Sequence, residues 1–288
     1  MTSDIVTART VSELRAHLAK RRKAGERIGL VPTMGALHEG HLSLVTLARA
    51  KADRVVVSIF VNPIQFGPRE DFHLYPRDEA GDLKKLAAAG ADLVFAPDVA
   101  EMYPTGFSTR VSIGDLTEDL CGASRPNHFD GVATVVAKLL MQAGPDIAMF
   151  GEKDYQQLLV IKRLVRDLDI PVEILGAPIV REKDGLALSS RNAYLSAEER
   201  RIAPLLFKTI SEVAAELAQG RGCDDAVVAA RYKLDAAGFR VNYVAVRDPD
   251  TLKPLHGPVQ HARVLAAAFL GNARLIDNVP VPPTNRSA

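Results

Sequence analysis

Apolar and polar positions along the first 180 residues follow two alternating rhythms. Short apolar runs are separated by longer stretches in which apolar residues return every three or four positions. Thr10 followed by Glu13 is a capping-box start for a helix reaching residue 24. The apolar run at 28–31 reads as a strand stopped by Pro32, and Leu44, Val45, Leu47 and Ala48 give a helix at 41–51 its buried stripe. Residues 55–61 form a nearly unbroken β-branched run of the kind buried on both faces of a parallel sheet. The alternation continues with a helix at 78–89 closed by Gly90, a strand at 93–95, a helix at 131–142 and a strand at 147–150. A helix at 154–168 and a strand at 172–175 complete it. Strands separated by helices pair in parallel through right-handed crossovers, so residues 1–180 predict a doubly wound α/β domain.

After residue 180 the pattern changes. Ser196 and Glu199 mark the start of one long helix to residue 219, with Gly220 as its stop, and a second helix covers 224–236. Three strands close the chain at 241–246, 264–270 and 273–277, the last two joined by the hairpin pair Gly271 and Asn272. Residues 181–288 therefore predict a smaller α+β domain, with a proline-rich, then polar, tail from Pro280 expected to fray.

Composition narrows the class without naming it. With 47% hydrophobic and 25% charged residues the chain is an ordinary globular protein rather than a disordered one. A net charge of +1 gives no reason to expect a nucleic acid partner. No apolar run approaches the roughly 20 residues a membrane span needs, and the stretch Met1 to Arg9 has no hydrophobic segment of the signal-peptide kind. Cys121 and Cys223 lack metal-type spacing and read as reduced thiols, which together with the rest points to the cytoplasm.

The chemistry concentrates where the first strand meets the following helix, the place at which an open α/β sheet puts its ligands. Gly35 and Gly40 let the backbone approach a ligand closely, the helix start offers unpaired amides to an anion, and His38 and His41 flank Gly40 with ring donors for phosphate oxygens. The four-residue gap between the glycines matches a P-loop, but His41 and Leu42 stand where that loop needs Lys and Ser/Thr. The histidines are three apart rather than the four of a zinc-protease helix, and no third ligand follows at useful spacing. An ordinary turn with two solvent-facing histidines is the remaining plain reading. The basic run Arg21, Arg22 and Lys23 reads as a solvated face complementing its helix dipole. His73, His128, His256 and His261 have no spacing that assigns them a role.

His38, Glu39, Gly40 and His41 resemble the His-x-Gly-His signature of the nucleotidyltransferase and class I tRNA-synthetase superfamily, whose fold is Rossmann-like. Leu188, Ser189, Ser190, Arg191 and Asn192 are similar to that group's second phosphate loop, with arginine as the cation; its planar fork suits phosphate oxygens. The stretches 60–66, 150–157 and 181–192, taken with 32–41, resemble the pantoate–β-alanine ligase family along nearly the whole chain. That resemblance implies ATP, pantoate and β-alanine as substrates, magnesium accompanying the ATP phosphates without a protein cage, a pantoyl-adenylate intermediate, and a homodimer. It implies a nucleotide site formed by Met34, Gly35, Ala36, Leu37, His38, Glu39, Gly40 and His41, with Gly151, Glu152, Lys153 and Asp154, and with Val180, Leu188, Ser189, Ser190 and Arg191. Within that set His38, His41, Lys153 and Arg191 are the catalytic candidates: they offset the repulsion between a carboxylate and the phosphorus it attacks, with His41 the proton donor. Asp154 is expected to reach the ribose hydroxyls, a plain helix cap being its alternative. Gln65 and Gln157 are expected on pantoate, because a neutral amide bonds both hydroxyl and carboxylate, with Asn62 a further contact and Gln156 the control. The segments are expected to converge on one triphosphate.

Overall fold

The computed structural model describes residues 5–68 and 70–283, which form two compact units. The first comprises Met1–Glu152 and Gln157–Pro178; the second comprises Lys153–Gln156 and Ile179–Ala288.

The first unit is built on six parallel strands: β1 (Thr7–Ala8), β2 (Ile28–Thr33), β3 (Arg54–Ile59), β4 (Leu93–Phe95), β5 (Ile147–Gly151) and β6 (Glu173–Ala177). Their order is β1-β4-β3-β2-β5-β6, so the chain runs outward in one direction from β2 and in the other from β5. The C-terminal ends of β2 and β5 thus flank the topological switch point, where doubly wound sheets bind ligands. The helices are α1 (Val11–Lys23), α2 (Glu39–Arg49), α3 (Glu79–Ala89), the short α4 (Val99–Met102) and α5 (Cys121–Ser124), α6 (His128–Ala143) and α7 (Tyr155–Asp167). Thr10 and Glu13 make the expected capping box of α1, and Gly90 closes α3 in the left-handed conformation.

The pleat explains the unbroken apolar runs. Leu30, Val56 and Phe150 pack into one core with Leu14, Leu18 and Leu140, while Val31, Val55, Val57 and Met149 point into another with Val45 and Leu86. Both faces of the sheet are therefore covered. Pro32 does not stop β2, which runs on to Thr33. Pairing with β5 ends at Leu30, so by Pro32 the strand is bonded on one side only and a missing N–H is tolerated.

The second unit packs α8 (Ala197–Ile202), α9 (Leu205–Ala218) and α10 (Cys223–Ala236) with an antiparallel sheet of β7 (Arg240–Arg247), β8 (Arg263–Leu270) and β9 (Ala273–Pro280). The Ser196–Glu199 capping box is present, but the single long helix expected after it is two. Pro204, with no N–H and a ring that crowds the preceding turn, separates α8 from α9. The tail does not fray at Pro280: β9 reaches that residue, and Val281 is buried with its N–H on the Ala262 carbonyl. The rest of the expected fraying, at 284–288, lies outside the described residues, as do the first four residues of the stretch read for a leader. Among the described residues no helix is long and apolar enough to cross a membrane. Both cysteines are free and buried.

Candidate active site

In the first unit the turn from β2 into α2 is held from below by one carboxylate. Asp82 of α3, 1% exposed, accepts the Ala36 N–H on Oδ2 and the Leu37 N–H on Oδ1, both at 2.8 Å. Thr33 Oγ1 accepts from the Gly35 N–H and donates to the Ser58 carbonyl, and Lys85 Nζ donates to the Leu37 carbonyl at 2.7 Å. The turn needs this scaffold because Gly35 and Ala36 are consecutive left-handed residues, at φ 78° and 50°. Such a φ is unstrained for glycine and costly for alanine.

The turn delivers two histidines that cap the helix they begin. His38 is the N-cap of α2, and its Nδ1 accepts from the Gly40 N–H at 3.2 Å; the His38 N–H in turn donates to Nδ1 of His41 at 3.3 Å. This is a reciprocal capping box with imidazoles in place of hydroxyl and carboxylate. A ring nitrogen that accepts a hydrogen bond carries no proton, so each neutral imidazole holds its proton on Nε2. The rings lie 4.1 Å apart between centroids. Glu39 is exposed in the first turn of α2, and Leu37 is buried.

Gln65 belongs to the same unit and is tied to that turn. Its Nε2 donates to Met34 Sδ at 3.2 Å and its Oε1 accepts from Asn62 Nδ2 at 3.0 Å. Asn62, 1% exposed, also donates to the Gly131 carbonyl at 3.0 Å and accepts from the Tyr103 hydroxyl at 2.7 Å. Gly131 lets α6 meet the turn at Pro63–Gln65 almost backbone to backbone, since a Cβ there would lie 2.5 Å from the Ile64 carbonyl oxygen and 2.6 Å from Gln65 Cα.

Behind Gln65 stands a charged group. Arg125 forks onto Glu70 at 2.7 and 2.8 Å and donates to His128 Nε2 at 2.8 Å. An arginine only donates, so His128 accepts on Nε2 and gives its Nδ1 proton to the Gln65 carbonyl, 2.9 Å away. Burial pushes the Glu70 carboxyl up, but the Arg125 hydrogen bonds and charge outweigh it and hold the group down at about 2.

At the end of β5 a Cβ added to Gly151 would meet nothing within 4 Å, and Glu152 rests beside Gly176. Gln157 is half-buried in α7 of this unit, whereas Gln156 is 5% exposed. Truncating Gln156 is therefore not the neutral control expected of it.

The remaining candidates lie in the second unit. Lys153 and Ser189 line one small cleft with Asn192, Phe207 and Asp277. Lys153 Nζ is 3.8 Å from a carboxylate oxygen of Asp154, which lies in the 3-10 turn before α7, and the Lys153 carbonyl accepts from Asn278 Nδ2. The Leu188 N–H bonds the Val180 carbonyl, which closes the base of a narrow loop together with the Arg181–Ala187 bridge. Ser189 Oγ caps the 3-10 turn Ser190–Tyr194 by accepting from the Arg191 N–H, and Asn192 Nδ2 donates to the Ala187 carbonyl. Under this loop Arg181 forks onto buried Asp277 at 2.6 and 2.8 Å, its guanidinium 3.8 Å from the Phe207 ring centre. Among the described residues no three His, Cys, Asp or Glu side chains gather as a metal cage.

Sequence reasoning missed Asp82, Tyr103, Arg125, His128 and the Arg181–Asp277 pair. Asp82 and His128 bond candidate residues and Tyr103 bonds Asn62, while Arg125 and the Arg181–Asp277 pair stand one contact further back; such contacts leave no local motif to find.

A sequence model described as Pantoate-beta-alanine ligase matches residues 6–280. The chain is 59% identical over 276 residues to the pantothenate synthetase of Rhodospirillum rubrum, covering 95% of this chain and 98% of that one. It is 57% identical over 285 residues to that of Caulobacter vibrioides, covering 98% and 100%. Among solved structures, a Thermus thermophilus pantothenate synthetase superposes with a TM-score of 0.91 at 53% identity, over 97% of this chain and 100% of that one. A Francisella tularensis pantoate-beta-alanine ligase, complexed with β,γ-ATP and β-alanine, does so with a TM-score of 0.81 at 34% identity, covering 96% and 97%.

Proposed function

The chain belongs to the pantoate–β-alanine ligase family, and on that premise we propose that it forms its amide through a pantoyl-adenylate, releasing pyrophosphate and then AMP. A pantoate carboxylate oxygen attacks the α-phosphorus of ATP, the bond from that phosphorus to the bridging oxygen of pyrophosphate breaks, and pyrophosphate leaves. The β-alanine amine then attacks the acyl carbon, the bond to the AMP oxygen breaks, and the nitrogen gives up a proton.

The obstacle in the first step is charge, an anion approaching an anion, so the residues that matter are donors aimed at phosphate oxygens. The observation that supports this reading best is the imidazole capping box. With both Nδ1 atoms turned onto backbone N–H groups, His38 and His41 hold their Nε2 protons as donors beside the amides of a helix start. In this reading His41 protonates the departing pyrophosphate oxygen and His38 binds the phosphate chain. Lys153 and Arg191 add positive charge, Ser189 and Ser190 add hydroxyls, and Asp154 takes the ribose. Gln65 and Gln157 hold pantoate. Magnesium would enter with the nucleotide and be held by its phosphates and water, where it would offset their charge; among the described residues no three His, Cys, Asp or Glu side chains gather to cage it.

Exchange of labelled pyrophosphate into ATP tests the pathway. The wild-type enzyme should exchange with pantoate alone, without β-alanine, and His41→Ala should slow that exchange on the order of 100-fold with the fold intact. Exchange that depends on β-alanine would rule out a free-standing adenylation step, and wild-type exchange by His41→Ala would remove His41 from it.

A further inference from the structure

Resting on the assignment of Gln65 to pantoate, we infer that Tyr103 is a positioning residue that holds the Asn62 amide, and through it the end of the Gln65 amide that the substrate meets. Amide groups look alike end for end, so their direction must come from neighbours that can only give or only take a hydrogen bond. Here the Gly131 carbonyl sets the direction, and the Tyr103 hydroxyl holds the other end of the Asn62 amide in it. The Gly131 carbonyl can only accept, so the Asn62 NH2 must face it at 3.0 Å. Asn62 Oδ1 is then turned to Tyr103, whose hydroxyl must donate across 2.7 Å. The second Asn62 N–H points to Gln65, 3.0 Å away, and there it can only meet an oxygen. Gln65 is left with its NH2 at the outer end, one hydrogen toward Met34 Sδ, a weak acceptor, and the other with no partner among the described residues.

The consequence is chemical. A chain that begins with a phenol donor ends with an amide donor, and a donor suits the carboxylate and hydroxyl oxygens of pantoate. The reverse orientation would present a carbonyl oxygen to an anion. Tyr103 suits the first position: burial pushes its phenol well above the usual range, so it keeps its proton, and its ring packs at a tilt against Phe60 and Phe107, 6.0 and 5.0 Å between centroids. Asn62 and Gln65 are 1% and 9% exposed, so water has little access to substitute for the missing hydroxyl.

Tyr103→Phe removes the hydroxyl and keeps the ring contacts. Its pantoate KM should rise about tenfold, the scale of one lost buried hydrogen bond, while the ATP KM and the kcat at saturating pantoate stay within about twofold. In a Gln65→Ala background the same substitution should change the pantoate KM by less than about twofold, because there is no amide left to orient. A tenfold effect in both backgrounds, an equal rise in the ATP KM, or no effect at all would overturn the inference. If Gln65→Ala itself leaves the pantoate KM unchanged, the assignment of Gln65 falls first, a result separable from a failure of Tyr103. Should Tyr103→Phe fold poorly, Asn62→Asp reads the same relay: an acceptor-only group turns the Gln65 NH2 inward, and an unchanged pantoate KM in that variant also overturns it.

Discussion

Asp82 and Asp277 are both almost completely buried, at 1% and 4% exposure, and each lies beneath a loop that carries candidate site residues. They are satisfied in different proportions: Asp82 mainly by main-chain N–H groups, with Lys85 Nζ 3.9 Å away, and Asp277 mainly by a guanidinium, with the Asn278 N–H at 2.8 Å. In the first unit Asp82 takes two backbone N–H groups and so dictates main-chain conformation directly, through Ala36 and Leu37 into His38. In the second unit Asp277 takes the fork of Arg181, a side chain that also bonds the Gly185 carbonyl and lies over Phe207. One arrangement fixes a turn; the other anchors a loop through a charge that cannot be neutralised. The contrast teaches that a buried carboxylate can act by shaping the main chain or by holding a cation, and that removing it leaves a different group unsatisfied in each case.

Three substitutions or conditions separate these arrangements. Asp277→Ala should have the largest effect on stability, because it takes the carboxylate from a mostly buried Arg181 guanidinium and leaves it only the Gly185 carbonyl and the Phe207 face; the expected loss is about 3 kcal/mol. Hydrogen exchange across β8 and β9 reads it, and a loss below about 1 kcal/mol would erase the distinction. Asp82→Asn comes next. A single amide oxygen serves one of the two N–H groups, so the cost is that of one unsatisfied buried donor, about 1–3 kcal/mol. Its signature is in activity: the turn carries both histidines, so pyrophosphate exchange should fall more than stability does. Equal falls in both would return Asp82 to an ordinary helix residue.

The smallest effect concerns Glu70, whose partner Arg125 is charged like Arg181 but whose side chain is 25% exposed. Its carboxyl is held at about 2, below the ordinary 4.5. A lowered carboxyl contributes its stability above the unfolded value and loses it as pH falls through the folded one. Wild type should therefore lose on the order of 1–2 kcal/mol between pH 4.5 and pH 2 that Glu70→Gln does not lose, after allowance for solvent screening. Parallel acid-unfolding curves for the two proteins would show that Arg125 gains nothing from the carboxylate.

What could be read from the chain alone follows from distance in sequence. The alternation of apolar runs and helical stripes reports burial residue by residue, so the parallel sheet and the smaller α+β domain were legible, as were the two capping boxes at Thr10 and Ser196. The histidine turn was legible as a motif, but its internal arrangement was not. That His38 and His41 cap their own helix through Nδ1 depends on ring direction, which no spacing encodes. Asp82 looked like one more acid in the first turn of α3, and Tyr103 sits beyond a four-residue helix with nothing around it to suggest a role. The role of His128 was hidden because its partners, Gln65 and Arg125, reach it from a distant turn and from the end of the preceding helix α5. The long helix expected at 197–219 divides for a local reason: Pro204 lies within an otherwise regular apolar stripe.

The absence of a side chain at Gly131 has a bearing on how far this part of the fold can be re-engineered. Even a methyl group at that position would collide with main-chain atoms on the facing turn, which cannot swing aside as a side chain can. Helix and turn consequently keep their close approach only while position 131 carries no side chain. A larger residue at 131 would have to push the turn, and Gln65 with it, away from α6.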